Sequence, residues 1–461
     1  MNVESKKGRL FGHIQVPGSK SHTIRALLFA SIAEGTSHIR NPLGGEDCVS
    51  ASKAIKLFGA EVDTSNTSEW IVRGAGHNAH LPQDVVNVGN SGSLLYFMAP
   101  IASTFKGWSI FTGDESIRTR PVLHLVDALN QLGAECSVSR PEKNAPPILI
   151  KGPIKPHQKL VTDGRLSQYI SGIMIAASLL DGKTEIELTD PKEIPFLNMT
   201  RMWLEEFGVP LAISSDWKHI TVSGPVEFKA FDKAVPSDWE ALAFPMLAAI
   251  LSESKIVIDD IDNSGSQGDS AIVEIFKSLG ANITESTNIM KNEEATSDNS
   301  LVVKGGSRLS TEHLPNGELH ANLSGYPDAI CALAVCACFT EGTVFIEDIG
   351  VCRKKETDRI EVMQSELRKL GANVESGSDW LCIHGHSPLL KNGDKNPEFK
   401  IHGGTVESYC DHRVAMSLSC LGLGLPDGEK IIVKDAECCS VSFPGFYEKM
   451  NTINANFKCE V

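Results

Sequence analysis

The chain has 461 residues, 41% hydrophobic and 22% charged, with 58 Asp+Glu against 43 Lys+Arg and a formal net charge of −15. That is a globular composition, too long for one ordinary core, and it implies two or three domains. The acidic balance argues against nucleic acid as the main partner. The want of an apolar run of bilayer length, or of one behind Met1, argues against a membrane span and a secretory leader, so a cytoplasmic protein is expected.

In chain order, the first motif is Val16 to Arg25, V-P-G-S-K-S-H-T-I-R, ahead of a helical A-L-L-F-A-S-I-A. Pro-Gly predicts a turn, and Ser19 or Ser21 can cap the helix. Lys20 and Arg25 then lie at a helix start, where amides and dipole favour an anion. The second glycine and spacing of a Walker loop are missing. Val88 to Ser93, V-G-N-S-G-S, lets backbone N–H groups near Asn90 and Gly92 approach an anion, or is a plain capped turn. Thr112 to Pro121 carries Arg118 and Arg120 before a Pro-initiated helix, and Arg120 suits bidentate binding of carboxylate or phosphate. Asp163 to Gln168, D-G-R-L-S-Q, precedes another apolar helix. Asp328 in Y-P-D is an acid or merely an N-cap.

Val351 to Ile360, V-C-R-K-K-E-T-D-R-I, packs Arg353, Lys354, Lys355, Glu356, Asp358 and Arg359 together. A cationic knot in an acidic chain implies an anionic ligand, or a solvated helix face laced by ion pairs. Cys410 to Arg413, C-D-H-R, is a poor metal site because adjacent residues diverge in direction. Cys331, Cys336 and Cys338 read as small apolar filling of a buried helix. These motifs share one grammar: turn, charged or polar residue, helix start. Side by side, such units bring the starts to one cleft, with Asp328 and Glu356 free for proton transfer.

A larger pattern repeats every ~75 to 90 residues, longer than a solenoid repeat. A helix ends in Gly and a small residue at Gly59, Gly133, Gly208, Gly280 and Gly371, and a short apolar strand follows, closed by Gly74, Gly152, Gly224, Gly305 or Gly385. Glycine just past a helix predicts a left-handed cap. A degenerate sixth copy is expected near Met450 to Phe457. Three units per domain divide the chain near Val235 to Asp238. Ser286 to Ser300 and Ser387 to Phe399 read as surface loops.

Taken in order, P-G-S-K-S-x-x-x-R, G-N-S-G, R-x-R-P, S-Q, P-D-A, K-E-T-D-R and D-H-R resemble the 5-enolpyruvylshikimate-3-phosphate synthases over essentially the whole chain. The UDP-N-acetylglucosamine enolpyruvyl transferases fit worse, lacking P-G-S-K-S and carrying a reactive cysteine loop absent here. The RNA 3′-phosphate cyclases are disfavoured by the acidic surface.

The resemblance implies an α/β fold: a two-domain inside-out α/β barrel, each domain three βαβαββ repeats around a pseudo-threefold axis. Residues 19–235 form one domain, and 1–18 with 236–461 the other. It implies carboxyvinyl transfer from phosphoenolpyruvate to the 5-hydroxyl of shikimate 3-phosphate, in the shikimate pathway to aromatic amino acids. No cofactor or metal is needed, the partners are small molecules, and a monomer is expected. Lys20, Asn90, Gly92, Arg120, Gln168, Arg359 and Arg413 would bind phosphoenolpyruvate. Lys20 and Glu356 would handle protons at its methylene, with Asp328 assisting the attacking hydroxyl. Ser21, Arg25, Ser167, Gln168, Asp328 and Lys355 would hold the acceptor.

The departures cluster on the acceptor side. The family has Ser-Ser-Gln where this chain has Leu166-Ser167-Gln168, Ser-Lys-Pro-Tyr at Glu193 to Phe196, and Asn at Val351. An Arg of the G-N-x-G helix is Tyr96, and a Lys near the C-terminus is Val441. Lost hydroxyl and amide donors and a gained Glu193 disfavour a phosphate there, unless Arg165 compensates or Glu193 points away. An unphosphorylated cyclic alcohol as acceptor, and a non-catalytic binding relative, stay open as alternatives.

Overall fold

A computed structural model describes residues 1–285 and 299–460, so the loop expected over Ser286 to Ser300 lies almost wholly outside the described residues. The chain divides into two compact units, Gly18–Pro236 and Met1–Pro17 with Ser237–Val461.

In the Gly18–Pro236 unit each sheet is a parallel pair extended by an antiparallel hairpin. Asp232–Ala234 pairs with Thr36–Arg40, which pairs with Glu69–Arg73 and then Glu61–Asp63. The same order recurs from Val86–Asn87 through Gly107–Thr112 and Ile148–Gly152 to Glu135–Val138, and from Lys159–Thr162 through Gly182–Leu188 and His219–Gly224 to Leu211–Ile213. Helices Lys20–Ile32, Gly92–Ala102 and Ser167–Ala177 are buried along nearly their whole length. A helix apolar on all sides belongs inside, and here the helices form the core with the sheets outside.

The other unit repeats the plan. Phe11–Gln15 pairs with Lys255–Asp259, Glu318–Asn322 with Thr340–Glu347, and Gly404–Glu407 with Lys430–Lys434, all parallel. The N-terminal strand Asn2–Lys6 completes the last sheet, between Lys430–Lys434 and Lys458–Glu460. Helices Trp239–Leu251, Ile330–Cys338 and His412–Leu423 pack on one another at the centre. Cys331, Cys336 and Cys338 are buried there, as the apolar pattern predicts. No helix among the described residues is long and apolar enough to cross a membrane.

The repeat has a physical basis at both glycines. The five helix-end glycines all have positive φ, from 73° at Gly208 to 103° at Gly59. Each is followed by an amide reaching back to the last turn, as Ala372 N does to Leu367 O at 3.1 Å. The sixth copy is complete, because Asn454 takes φ 69° and Ala455 N reaches Met450 O at 3.2 Å. Asparagine is the next best residue for that conformation. The strand-end glycines serve close approach: a Cβ on Gly305 would fall 1.9 Å from the carbonyl oxygens of both Ala249 and Ser252. The Ser387 to Phe399 stretch is mostly exposed, yet Ser387 and Asn396 are buried and tied to Glu341.

Candidate active site

In each unit the inner helices begin where the chemistry-bearing residues lie. In the Gly18–Pro236 unit, Lys20 opens its helix and pairs with Asp47 at 3.4 Å, both largely buried. Asp47 sits in the first turn of Glu46–Lys56. Ser19 is the N-cap by backbone but makes no side-chain cap bond.

Four of the expected residues meet a helix further on. Arg120 donates from Nη2 to Asn90 Oδ1 at 2.8 Å. A Cβ on Gly92 would lie 3.0 Å from Arg120 Nη1 and 3.9 Å from Gln168 Oε1, so glycine leaves that guanidinium its place. Gln168 donates to Ser93 at 2.9 Å. Arg120 Nε is buried without a hydrogen-bond partner among the described residues, a donor held for something else. Tyr96, where the family pattern has an arginine, donates from its hydroxyl to Pro121 O at 2.8 Å, beside the Arg120 loop. Arg118 is exposed and turns back to Gly113 O.

Arg25 is buried and, among the described residues, donates to neutral oxygens: Thr200 Oγ1 at 2.9 Å, Ser21 O at 3.0 Å and Phe196 O at 3.0 Å. Its guanidinium stacks over Phe97 at 4.9 Å. Burial alone pushes its pKa down to about 9. Such a cation calls for an anionic ligand.

Among the acceptor-side departures, Glu193 is held in place. Glu193 does not point away. Held in left-handed backbone at φ 52°, its carboxylate accepts from Ser167 N at 2.9 Å and Ser167 Oγ at 2.8 Å. It thus occupies the N-terminus of Ser167–Ala177, where Leu166 offers no cap. Arg165 pairs with Asp190 at 2.8 Å. Val351 packs against its unit's core and Val441 is buried.

In the other unit the expected residues form one ionic network. Arg359, 1% exposed, meets Asp411 at 2.7 Å, Glu356 at 2.8 Å and also Asp328. Lys355 lies 3.7 Å and Arg413 3.4 Å from Asp328. Asp328 is not a cap, since its side chain turns to these cations. Neither Asp328 nor Glu356 stands free, because the Arg359 fork reaches both. Burial raises the Asp328 pKa, but Arg413, Lys355 and Arg359 override it and hold the carboxyl well below the usual range. The knot is thus both things at once: Arg353 pairs with Asp358 at 2.5 Å near the surface, while Arg359 points inward.

Sequence reasoning missed Asp47, Asp411 and Glu240. Asp411 caps His412–Leu423 by accepting from Arg413 N at 2.9 Å and also grips Arg359. Glu240 contacts Arg413. The signal for Glu240 was present, since P-S-D-W-E before A-L-A-F-P-M-L repeats the turn, acid and helix-start grammar.

The chain as a whole is similar to known proteins. A family model described as EPSP synthase (3-phosphoshikimate 1-carboxyvinyltransferase) matches residues 5–450. A 3-phosphoshikimate 1-carboxyvinyltransferase of Ruminiclostridium cellulolyticum is 36% identical over 453 residues, 98% of each chain. One from Acetivibrio thermocellus is 34% identical over 461 residues, all of both chains. The solved EPSP synthase of Acinetobacter baumannii superposes with a TM-score of 0.77 at 26% identity over 100% of each chain.

Proposed function

This chain belongs to the EPSP synthase (3-phosphoshikimate 1-carboxyvinyltransferase) family, and from that premise we infer what its charged helix starts do. It is a transferase that moves the carboxyvinyl group of phosphoenolpyruvate to the 5-hydroxyl of shikimate 3-phosphate and releases phosphate. The observation that carries the assignment of roles is the network of Asp328, Lys355, Glu356, Arg359 and Arg413 about one buried guanidinium.

The chemistry asks for cations and a managed proton. The methylene of phosphoenolpyruvate gains a proton, the acceptor hydroxyl attacks C2 and loses its own, and the tetrahedral ketal expels phosphate with loss of a methyl proton. Lys20 and Glu356 serve the methylene proton, and Asp328, kept ionised, orients the hydroxyl and draws on its proton. Arg120, Arg359 and Arg413, with Asn90, Gly92 and Gln168, hold the phosphate and carboxylate of phosphoenolpyruvate and favour the departing charge. Arg25, Ser21, Ser167, Gln168, Asp328 and Lys355 hold the acceptor. Action in the cytoplasm as a monomer goes with this reading, and sedimentation at working concentration checks the second part.

Glu193 favours one second reading. Its carboxylate already satisfies Ser167 N and Oγ, so an acceptor bearing no anion there meets no competition. Phosphate release from phosphoenolpyruvate is the test, run with shikimate 3-phosphate beside shikimate and other unphosphorylated cyclic alcohols. Turnover with shikimate 3-phosphate alone supports the family acceptor. Turnover confined to an unphosphorylated alcohol overturns it.

A further inference from the structure

We propose that Glu240 is a built-in rival for the ligand's anionic group at Arg413, and that it limits how tightly this chain holds phosphoenolpyruvate. The proposal rests on the reading above that Arg413 binds that ligand.

The two buried arginines of this network are filled differently. Arg359 offers the edge formed by Nε and Nη2 to one carboxylate: Asp411 accepts from Nε at 2.7 Å and from Nη2 at 3.2 Å. That bidentate grip is how a guanidinium holds a carboxylate or phosphate. The same edge of Arg413 is only half used. Its Nη2 donates to Glu240 Oε2, while its Nε is buried with no hydrogen-bond partner among the described residues. A buried unsatisfied donor beside a satisfied one marks an edge shaped for an oxyanion that the chain's own groups do not complete.

Glu240 takes one half of that edge and leaves the other open, from a backbone that is held in place. It lies in the first turn of Trp239–Leu251, where the Asp238 carboxylate accepts from Glu240 N at 2.8 Å and Ala241 N at 3.3 Å. Arg413 is pinned too, at the start of His412–Leu423, with its amide on Asp411 at 2.9 Å. The Glu240 carboxylate therefore stands on the half of the edge that an oxyanion would need. An oxyanion taking both Nε and Nη2 displaces that carboxylate or lies against it, and either weakens binding.

The surroundings are already rich in negative charge. Asp328 Oδ2 lies 3.4 Å from Arg413 Nη2. Asp269, buried in the short helical turn Gly268–Ala271, has an Oδ1 with no hydrogen-bond partner among the described residues. Burial, and then repulsion by Glu240 and Asp328, keep its carboxyl protonated well above the usual range. Of the carboxylates that meet the Arg413 guanidinium, Asp328 also grips Arg359, whereas Glu240 is paired with Arg413.

The experiment uses the full chain carrying Glu240→Gln, Glu240→Ser or Arg413→Lys, with KM and kcat for both substrates, calorimetric binding of inorganic phosphate as the probe, and Tm. Both Glu240 variants are expected to lower KM for phosphoenolpyruvate and Kd for phosphate about tenfold, with KM for the acceptor unchanged. A rise in KM for phosphoenolpyruvate, or no change, overturns the proposal and makes Glu240 a support for Arg413 or a bystander. Arg413→Lys separates the premises. If it raises KM for phosphoenolpyruvate while the Glu240 variants lower nothing, Arg413 binds the ligand and the rivalry is wrong. If neither position moves that KM, the assignment of Arg413 falls as well.

Discussion

Arg359→Gln tests the ionic network most directly. The side chain is 1% exposed and serves Asp411, Glu356 and Asp328 together. Deleting one partner of a buried ion pair costs about 3–5 kcal/mol, because the remaining charge is left uncompensated. Here the lower end applies: Asp328 keeps Arg413 at 3.4 Å and Lys355 at 3.7 Å, and Asp411 keeps the Arg413 amide at 2.9 Å and Thr357 at 3.2 Å. About 3 kcal/mol in a unit of this size corresponds to a fall in Tm of about 6–12 °C.

The pH dependence has a definite sign. A carboxyl whose folded pKa is depressed, as Asp328's is, contributes stability that is present above its unfolded pKa and lost as pH falls toward the folded value. The variant forfeits part of that contribution, so its deficit is largest near pH 7 and shrinks at and below about pH 4, where unfolded aspartates protonate. Urea midpoints measured at several pH values from neutral to acid give the comparison, with Arg359→Lys expected between the two because it keeps the charge and loses the fork. A deficit under about 1 kcal/mol, or one equally large at every pH, would refute a network held by charge.

Three further outcomes are expected. Glu356→Gln preserves shape and removes the proton acceptor, so turnover falls about 10²- to 10⁴-fold while calorimetric binding of phosphoenolpyruvate changes little; parallel loss of both would exclude a proton role. Arg25→Met removes a buried cation with no carboxylate beside it among the described residues. Relief of desolvation offsets three lost hydrogen bonds of about 1 kcal/mol each, so Tm moves little while KM for the acceptor rises more than about tenfold. Gly305→Ala forces a Cβ against two carbonyl oxygens and destabilises by about 1–3 kcal/mol or more, whereas Asn454→Gly changes stability by only a few tenths; equal urea midpoints for the two variants would contradict the repeat's assigned geometry.

Much of this architecture was legible because its signals are local. A helix cap at Gly371 or Gly59 needs only that residue and the turn before it. Five copies followed from such caps and a sixth was placed near Met450 to Phe457, but its Asn454 cap was visible only in the fold. Lys20, Asn90, Arg120, Asp328, Arg359 and Arg413 stood out because each sits beside a helix start whose turn chemistry can be read from a few neighbours.

Pairing was beyond that reach. Glu240 and Arg413 are 173 positions apart, and Arg359 and Asp411 are 52 apart. Whether Glu193 faced solvent or the Ser167 amide, and whether Asp328 capped a helix or met a guanidinium, depended on how separate helix starts were packed. Residue order along the chain therefore sufficed for the repeated elements and the kinds of group at their ends, since hydrogen-bonded turns involve near neighbours. Which charges neutralise one another, and which donors stay open, was decided only by folding, because Coulomb attraction and desolvation depend on distance through space and on exclusion of water.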